Sequence, residues 1–287
     1  LKTENSIDVV LFVNGLPIST IELKNAITGQ TVADAKKQYM HDRSSYDLLL
    51  NVKSRCLVHF AVDTDEVWMT TRLKGIDTYF LPFNKGNNGG KGNPVGGGNY
   101  RTSYLWDEVL QKDSILDIIH RFIHLENTEK ETLIFPRYHQ LDVVRKLVSD
   151  VKDKGTGNNY LIQHSAGSGK SNSIAWLSHH LSNLHDANDK VIFNSTIVIT
   201  DRRVLDKQLQ DTIYQFEHVE GVVVKIDSDS TQLAEALNTG KKIIITTIQK
   251  FPFILEKINN FEGKRFAIIV DEAHSSQSGK ASQKMKA

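Results

Sequence analysis

The sequence of 287 residues has little cysteine and lacks long apolar runs. Its single cysteine, Cys56, excludes an internal disulfide framework and a zinc site built from several cysteines, which is typical of a reducing compartment. No run approaches the roughly 18 apolar residues that a membrane-spanning helix needs, and residues 1–5 lack the order of a signal peptide. We therefore predict a cytoplasmic protein without a membrane partner, in which Cys56 is buried.

An excess of charge of either sign is also absent, because 35 Lys and Arg residues balance 34 Asp and Glu residues. Any surface that binds nucleic acid must then be a local patch. The 39% hydrophobic content supplies enough apolar material for one large or two ordinary globular domains and excludes a disordered polymer. The chain lacks an initial Met and stops in a polar run, so we expect a fragment of a longer protein.

Residues 1–125 have the pattern of a first domain of mixed α/β type. Two β-type runs, 7–13 and 18–23, are separated by Asn14-Gly15, a strong signal for a hairpin turn. Composition and spacing predict further segments: a helix at 31–43, strands at 56–62 and 66–73, a long Gly-rich and Asn-rich loop at 84–99, and bridging helices at 103–125.

Residues 126–287 have the pattern of a second domain, in which strands alternate with helices. Near-continuous apolar runs of this kind are typical of strands that are buried on both faces of a parallel sheet. Strands are predicted at 160–163, 191–200, 222–226, 243–247 and 267–270. We therefore predict a doubly wound α/β domain.

The string HSAGSGKS at residues 164–171 departs from the phosphate-binding form G-x-x-x-x-G-K-[ST] only at its first position. Glycines let backbone N–H groups face phosphate oxygens, an ammonium contacts the β and γ phosphates, and a hydroxyl holds Mg²⁺. We predict a nucleotide site, with Ser168 within the loop, built from Gly167, Gly169, Lys170 and Ser171.

A second motif for phosphate chemistry ends the last apolar strand. Asp271 is suited to hold Mg²⁺ and Glu272 to polarise the attacking water. At the carboxyl end of a strand in the same sheet, this pair would face the phosphate loop.

The string DEAH at 271–274 resembles motif II of superfamily 2 helicases and translocases. Arg137 and Gln140 resemble the adenine-reading segment that members of this family carry before the phosphate loop. Residues 199–209 resemble motif Ia, and 245–251 resemble a later motif that faces DNA. The resemblance covers most of 126–287 and implies a first RecA-like ATPase lobe that uses ATP and Mg²⁺.

A candidate metal site lies in the first hairpin. Glu22 and Lys24 share one face of a strand because side chains alternate with period two, and Asp8 on the preceding strand is the natural second carboxylate. A strict two-residue turn would pair Asp8 with Ile21 and place it on the opposite face, so an irregularity near Pro17 is needed. An exposed salt bridge between Glu22 and Lys24 is the alternative from the hairpin alone.

Segments across the whole chain resemble the restriction subunit of type I restriction-modification enzymes. They are 7–17, 21–25, 80–86, 100–106 and the phosphate loop. The resemblance implies an α/β protein in which a PD-(D/E)xK-type nuclease domain precedes a translocase lobe. It implies Asp8, Glu22 and Lys24 as the nuclease triad, with Mg²⁺ held by Asp8 and Glu22 in one domain and by Ser171 and Asp271 in the other. It also implies double-stranded DNA and methyltransferase and specificity subunits as partners.

The sequence departs from the family pattern in two places. Many members carry Gln-x-x-x-Tyr after the triad, whereas here Gln38 is followed at that interval by Asp42, so Gln38 is a weak candidate. The family's acidic residue upstream of the triad would lie before Leu1. A second RecA-like lobe would follow motif II, so we expect this chain alone to bind ATP poorly and not to translocate.

Two alternative functions stay open from the sequence. One is a superfamily 2 ATPase whose N-terminal domain only binds DNA or docks a partner. The other is a non-catalytic interaction protein with a degenerate nucleotide site. Lys170→Ala distinguishes it from the restriction subunit and from the ATPase, because nucleotide stabilises the chain, and the substitution abolishes that stabilisation, only if the phosphate loop is functional.

Overall fold

The structure is a computed structural model that describes residues 6–52, 54–95, 100–126, 132–200, 203–216, 221–227, 229–253 and 263–272. The chain divides into two compact units, Leu1–Leu141 and Asp142–Ala287. This division falls inside a helix that spans Tyr138–Lys154. The functional boundary between 125 and 126 stays a prediction.

The first unit contains a mixed five-stranded sheet. Its strands are β1 (Val9–Val13), β2 (Leu16–Leu23), β3 (Val58–Val62), β4 (Val67–Thr70) and β5 (Leu81–Pro82), in spatial order β1-β2-β3-β4-β5. β2 and β3 pair in parallel, and the other neighbours pair antiparallel. The predicted hairpin and the two later strands are thus confirmed.

The hairpin between β1 and β2 contains an irregularity of one residue. Asn14 and Gly15 form the turn with positive φ angles of 49° and 80°. Phe12 lies opposite Pro17, but the preceding residue of β1, Leu11, lies opposite Ser19 and not opposite Ile18. Ile18 is therefore the extra residue of a β-bulge, which shifts the register by one. The irregularity that the sequence required near Pro17 is confirmed.

Helix α1 (Val32–His41) forms the crossover between the parallel strands β2 and β3. The Asp34 carboxylate accepts a hydrogen bond from the Thr31 N–H at 2.9 Å and so caps the start of the helix. The buried face of α1 packs on the sheet. The core cluster on this side contains Val32, Ala35, Tyr39, Leu50, Ala61, Leu73 and Phe80.

The described part of the Gly-rich loop, 84–95, is anchored by the buried amide of Asn93. Its oxygen accepts from the Lys85 N–H at 2.8 Å, and its nitrogen donates to the Asp65 carbonyl oxygen at 2.9 Å. Because both ends of the amide are bonded, this stretch has a fixed path. Beyond the loop lie a π-helical segment (Leu105–Val109), α2 (Lys112–Arg121), β6 (His124–Glu126) and β7 (Thr132–Ile134). The helices predicted at 103–125 are confirmed, although the last residues form a strand, and their bridging role stays a prediction.

The second unit contains a parallel four-stranded sheet. Its elements, after α3 (Tyr138–Lys154), are α4 (Lys170–Ser182), β8 (Ser195–Thr200), α5 (Arg203–Gln215), β9 (Val223–Lys225), α6 (Ser230–Asn238), β10 (Ile243–Thr247), a 3₁₀ helix (Ile248–Phe253) and β11 (Phe266–Val270). The spatial order is β11-β8-β10-β9, and all pairs are parallel. Every residue of β8 is buried, as expected for a strand covered on both faces. The predicted parallel α/β sheet is confirmed.

The strand predicted at 160–163 is wrong. The structure assigns no strand there, and the Leu161 side chain is 88% exposed. A strand requires a neighbour for its backbone hydrogen bonds, and the four strands described in the second unit pair only with one another. An apolar run in a sequence gives the burial tendency of a segment but not the partner that would make it a strand.

Cys56 is buried, as predicted, and burial raises the pKa of its thiol to about 11. Such a thiol stays protonated near neutral pH and is a poor nucleophile. No helix among the described residues is both long and apolar enough to cross a membrane.

Candidate functional site

The structure brings Asp8, Glu22 and Lys24 together at one end of the first hairpin. Because the bulge pairs Val9 with Ile21, the next positions outward, Asp8 and Glu22, face the same side. The Asp8 carboxylate oxygen Oδ2 accepts a hydrogen bond from the Leu23 N–H at 2.8 Å. The Lys24 ammonium lies 3.9 Å from that same oxygen. Lys24 is therefore the ion-pair partner of Asp8.

Glu22 is fully buried and pairs with a residue that the sequence did not reveal. Arg43 Nε donates to Glu22 Oε1 at 2.7 Å, and both side chains are buried. Burial raises the pKa of Glu22, and the nearby Asp8 carboxylate raises it too, whereas the hydrogen bond from Arg43 works in the opposite direction. The alternative of an exposed Glu22–Lys24 salt bridge is wrong, since each has another partner.

The second oxygen of Glu22 makes this a candidate cation site. Oε2 is buried and has no hydrogen-bond partner among the described residues, which is an unfavourable state for a carboxylate oxygen. Within the described ranges, no group of three or more His, Cys, Asp and Glu side chains is placed to hold a metal ion. Mg²⁺ usually takes only one or two protein carboxylates and keeps several waters, so Asp8 and Glu22 fit this ion.

A polar cavity of about 400 Å³ opens beside Lys24. Side chains of α1 line its other walls, among them Lys37, Gln38 and His41. The Gln38 oxygen Oε1 is buried without a hydrogen-bond partner in the described part of the chain. The weak candidate Gln38 thus lies in the same cavity as Lys24, and its role stays a prediction.

A buried hydrogen-bond network supports β2 next to Glu22. Thr20, two residues before Glu22, contacts the Tyr39 hydroxyl at 2.8 Å and His59 Nδ1 at 2.7 Å. Burial lowers the pKa of His59 to about 4, so its ring is neutral at physiological pH. These contacts join β2, α1 and β3. Sequence reasoning missed them because the three residues are distant along the chain.

The phosphate loop of the second unit has the backbone form that its sequence predicts. Gly167 and Gly169 have positive φ angles of 71° and 82°, a conformation that favours glycine. α4 begins directly after Gly169, so Lys170 and Ser171 lie in its first turn. Ser168 is buried, and its hydroxyl contacts His164 Nδ1 at 3.1 Å. Turns of this kind direct backbone N–H groups towards an anion at a helix N-terminus.

Lys170 meets both acids of motif II, about a hundred residues further along the chain. Its ammonium lies 3.2 Å from Asp271 Oδ1 and donates a hydrogen bond to Glu272 Oε1. Burial lowers the pKa of Lys170, but the hydrogen bonds to Glu272 and Asp271 outweigh it and leave the pKa raised. The predicted face-to-face arrangement of loop and motif II is thus present. Ala273 and His274 lie outside the described residues.

The backbone at the end of β11 positions the motif II acids. The Asp271 N–H donates to the Ile199 carbonyl at 2.9 Å, which extends the ladder between β11 and β8 by one bond. Glu272 then has a φ of 53°, in the left-handed region where a side chain is unfavourable. Strained backbone of this kind is concentrated at functional sites.

Arg137 and Gln140 lie in the first unit and bond to each other. The Gln140 oxygen Oε1 accepts from the Arg137 N–H at 2.9 Å, and the Gln140 N–H donates to the Arg137 carbonyl at 3.0 Å. This pair caps α3, and burial lowers the pKa of Arg137. The adenine-reading role of both residues stays a prediction.

The segment that resembles motif Ia, 199–209, and the segment that resembles a motif facing DNA, 245–251, lie at the ends of parallel strands. The first runs from β8 into α5, and the second from β10 into the 3₁₀ helix. Asp201 and Arg202, at the centre of the first, lie outside the described residues. The roles of these segments stay predictions.

Two family profiles match the chain. The profile of the SWI2/SNF2 ATPase family matches residues 139–287, and the profile of the type I restriction enzyme R protein N terminus matches residues 1–77. Because the first covers more than half of the sequence, the chain belongs to the SWI2/SNF2 ATPase family. The resemblance to restriction subunits of type I restriction-modification enzymes is confirmed by the second profile together with curated relatives.

Those relatives come from Methanocaldococcus jannaschii, Staphylococcus saprophyticus and Haemophilus influenzae. A protein of Methanocaldococcus jannaschii, provisionally named type I restriction enzyme MjaVIIIP endonuclease subunit, is 26% identical over 95% of this chain and 28% of its own length. The type I restriction enzyme SsaAORF53P endonuclease subunit of Staphylococcus saprophyticus is 28% identical over 95% of this chain and 27% of its own length. The type I restriction enzyme HindI endonuclease subunit of Haemophilus influenzae is 27% identical over 95% of this chain and 26% of its own length. The chain thus spans about a quarter of their length.

A solved structure shows a more distant likeness. The crystal structure of the UvsW helicase from bacteriophage T4 is 17% identical, with a TM-score of 0.39 over 62% of this chain and 55% of that chain. This likeness is too low to add to the family assignment.

Proposed function

We propose that the chain is the nuclease and first motor lobe of an ATP-dependent DNA endonuclease subunit of a type I restriction-modification system. In this proposal, Mg²⁺-dependent cleavage of double-stranded DNA takes place at a PD-(D/E)xK-type site in residues 1–125. ATP binding and hydrolysis take place in residues 126–287 and drive translocation.

One observation carries the nuclease half of the proposal. The bulge at Ile18 places Asp8 and Glu22 on one face, with Lys24 beside Asp8, and leaves a buried Glu22 oxygen without a hydrogen-bond partner among the described residues. A purely structural hairpin has no need of two adjacent carboxylates at its end, because burial raises the pKa of Glu22 and the neighbouring Asp8 carboxylate raises it further. A site for a divalent cation explains this arrangement.

At the nuclease site, Asp8 and Glu22 would hold Mg²⁺ through carboxylate oxygens. A bound Mg²⁺ supplies positive charge to the scissile phosphate and lowers the pKa of a coordinated water. The Lys24 ammonium would donate to a phosphate oxygen and offset the negative charge that develops there. For this, Lys24 must turn from Asp8 towards the cavity that it already lines.

At the nucleotide site, the N–H groups around Gly167 and Gly169 would donate to phosphate oxygens of ATP. Lys170 would leave the motif II acids and donate to the β and γ phosphates. Ser171 and Asp271 would hold the Mg²⁺ that accompanies the nucleotide, and Glu272 would accept a proton from the attacking water. The half-exposed position of Lys170 favours this exchange of partners, since its side chain is 40% exposed.

The partners in this proposal are double-stranded DNA and the methyltransferase and specificity subunits that recognise the DNA site, in the cytoplasm. The endonuclease subunits to which the chain is similar carry the name of type I restriction enzymes, which supports this assembly.

A second function is favoured by one feature of the first unit. Arg43 already neutralises Glu22, so the hairpin is also consistent with a non-catalytic domain that binds DNA or docks a partner next to a superfamily 2 ATPase. In that case a divalent cation would not bind at Glu22.

The experiment is a pair of assays on the complete subunit assembled with its partners. Glu22→Gln is expected to abolish DNA cleavage and leave ATP hydrolysis intact, whereas Lys170→Ala is expected to abolish both. Glu235→Gln, at an exposed position, serves as the matched control and is expected to change neither. DNA cleavage at the wild-type rate by Glu22→Gln would contradict the nuclease assignment and support the docking alternative.

A further inference from the structure

The buried guanidinium of Arg43 connects the two strands that carry the proposed metal ligands. Arg43 follows α1 and is 7% exposed. Its Nε donates to Glu22 Oε1 on β2 at 2.7 Å, and its Nη2 donates to the carbonyl oxygen of Ser6 at 2.6 Å. Ser6 lies two residues before Asp8. One planar group therefore fixes both the Glu22 carboxylate and the backbone that leads into Asp8.

The contact with Arg43 divides the two oxygens of Glu22 between two tasks. Oε1 is bonded to the guanidinium, and Oε2 is buried and without a hydrogen-bond partner among the described residues. At Asp8, Oδ2 is used by the Leu23 N–H and by Lys24, which leaves Oδ1 outside both contacts. Each carboxylate thus has one oxygen held by the protein and one oxygen available to a cation.

The charges of the cluster are paired one to one. Lys24 neutralises Asp8 and Arg43 neutralises Glu22, so the four side chains carry no net charge. Arg43 offsets the charge of Glu22 through a contact with Oε1, and this contact does not involve Oε2.

We propose that Arg43 is a positioning residue of the nuclease metal site, which holds Glu22 and the start of β1 in place while Glu22 Oε2 and Asp8 Oδ1 take the cation. The inference rests on the proposed nuclease function. It assigns to Arg43 no contact with the metal or with DNA. Lysine cannot replace arginine in this role, because a single ammonium lacks the planar fork that donates in two fixed directions.

The test is Mn²⁺ binding, measured by calorimetry on the 287-residue chain without nucleotide. The variants are Glu22→Gln, Arg43→Met and Arg43→Lys, with the exposed Arg55→Met as the matched control. Wild type and Arg55→Met are expected to bind one Mn²⁺, and Glu22→Gln to lose it. Both Arg43 variants are expected to bind roughly 10- to 100-fold more weakly, as for other residues that hold a metal ligand without touching the metal.

Circular dichroism and a urea titration establish that each variant is folded at the temperature of the measurement. If Arg43→Met does not fold, Arg43→Lys carries the test, because it keeps the positive charge. If Arg43 only stabilised the fold, the Mn²⁺ affinity of the folded variants would equal that of wild type, and the inference would be wrong. Tighter binding by Arg43→Met would also overturn it, since Arg43 would then compete with the cation.

The same data separate this inference from the proposed function. Equal, weak Mn²⁺ binding by wild type and Glu22→Gln would contradict the metal site itself, and the role of Arg43 would fall with it. Specific binding by wild type that survives both Arg43 substitutions would leave the metal site standing and contradict only the role of Arg43.

Discussion

The two carboxylate pairs of this chain differ in how they are neutralised. Asp8 and Glu22 have one cation each, Lys24 and Arg43, and the Glu22–Arg43 contact is almost completely shielded from solvent. Asp271 and Glu272 both contact one cation among the described residues, Lys170, whose side chain is 40% exposed. In the first pair Glu22 is held by a buried contact, whereas both acids of the second pair are held by a partly exposed residue that can change partners.

The difference follows from the work that each site is proposed to do. A metal site for DNA cleavage requires ligands fixed before the substrate arrives, because misplaced ligands weaken both binding and catalysis. A nucleotide site must instead release its lysine each time ATP binds. The Glu22–Arg43 contact is therefore buried at the site whose geometry must persist, and the Lys170 contacts are partly exposed at the site whose geometry must change.

The largest effect is expected from breaking the buried pair. Arg43→Met leaves the Glu22 carboxylate buried without its partner, which we expect to lower the free energy of unfolding by about 3 to 5 kcal/mol. Urea unfolding measures this change. Arg55→Met is expected to stay within about 0.5 kcal/mol of wild type, and a similarly small loss in Arg43→Met would show that the pair is not shielded as described.

Lowering the pH tests whether His59, in the hydrogen-bond network next to Glu22, is shielded from water. The folded-state pKa of His59, about 4, lies below the ordinary value of 6.5, so the unfolded chain binds the proton more readily. The contribution of His59 to the free energy of unfolding is fully present above pH 6.5 and is lost as the pH falls to 4. At about 1.36 kcal/mol per pKa unit, the loss is on the order of 3 kcal/mol.

Urea unfolding at pH 7 and pH 4 measures the contribution of His59. His59→Gln, which does not titrate, is expected to lose less stability between these pH values than wild type. The exposed His120→Gln serves as control and is expected to lose as much as wild type. Identical losses in wild type and His59→Gln would show that the His59 ring is hydrated.

Stabilisation by nucleotide tests the second site, at Lys170, independently of the first. With ATP analogue at about 100 times the dissociation constant, wild type is expected to gain roughly 2.7 kcal/mol of stability, and Lys170→Ala none. Without nucleotide, Lys170→Ala is expected to change stability by less than about 1 kcal/mol because the contact is partly exposed. Thermal unfolding measures both, with the exposed Lys146→Ala as control. Equal stabilisation of Lys170→Ala and wild type would contradict the nucleotide site.

The smallest effect is expected from the register of the hairpin. Inserting one valine between Val9 and Val10 on β1 shifts the register, so Asp8 would lie opposite Leu23 and turn away from Glu22. We expect Mn²⁺ binding to weaken by about tenfold or more, as when a metal ligand loses its support. Ile18→Val keeps the register and serves as control in the calorimetric titration. Unchanged affinity in the folded insertion variant would show that Asp8 is not a ligand.

Local patterns predicted much of this arrangement. The Asn14-Gly15 turn, the alternation of Glu22 with Lys24 and the need for a one-residue irregularity all follow from period-two geometry, and the structure contains each of them. The phosphate loop and the parallel strands likewise follow from spacing and apolar runs. These features depend on neighbours along the chain, which a sequence displays directly.

Contacts between distant residues were not predictable. Arg43 is 21 residues from Glu22 and follows a helix, so no spacing rule brings the two side chains together. The Thr20–His59 contact and the unpaired segment at 160–163 have the same origin. Each depends on which elements become neighbours in space, and apolar periodicity does not specify this.

The most direct measurement is the anomalous scattering of Mn²⁺ in crystals of this chain. We predict one strong peak within ligand distance of Glu22 Oε2 and Asp8 Oδ1, with Arg43 still bonded to Glu22 Oε1. A peak elsewhere in the first unit, or a Glu22 that keeps both oxygens away from the ion in crystals saturated with Mn²⁺, would contradict it.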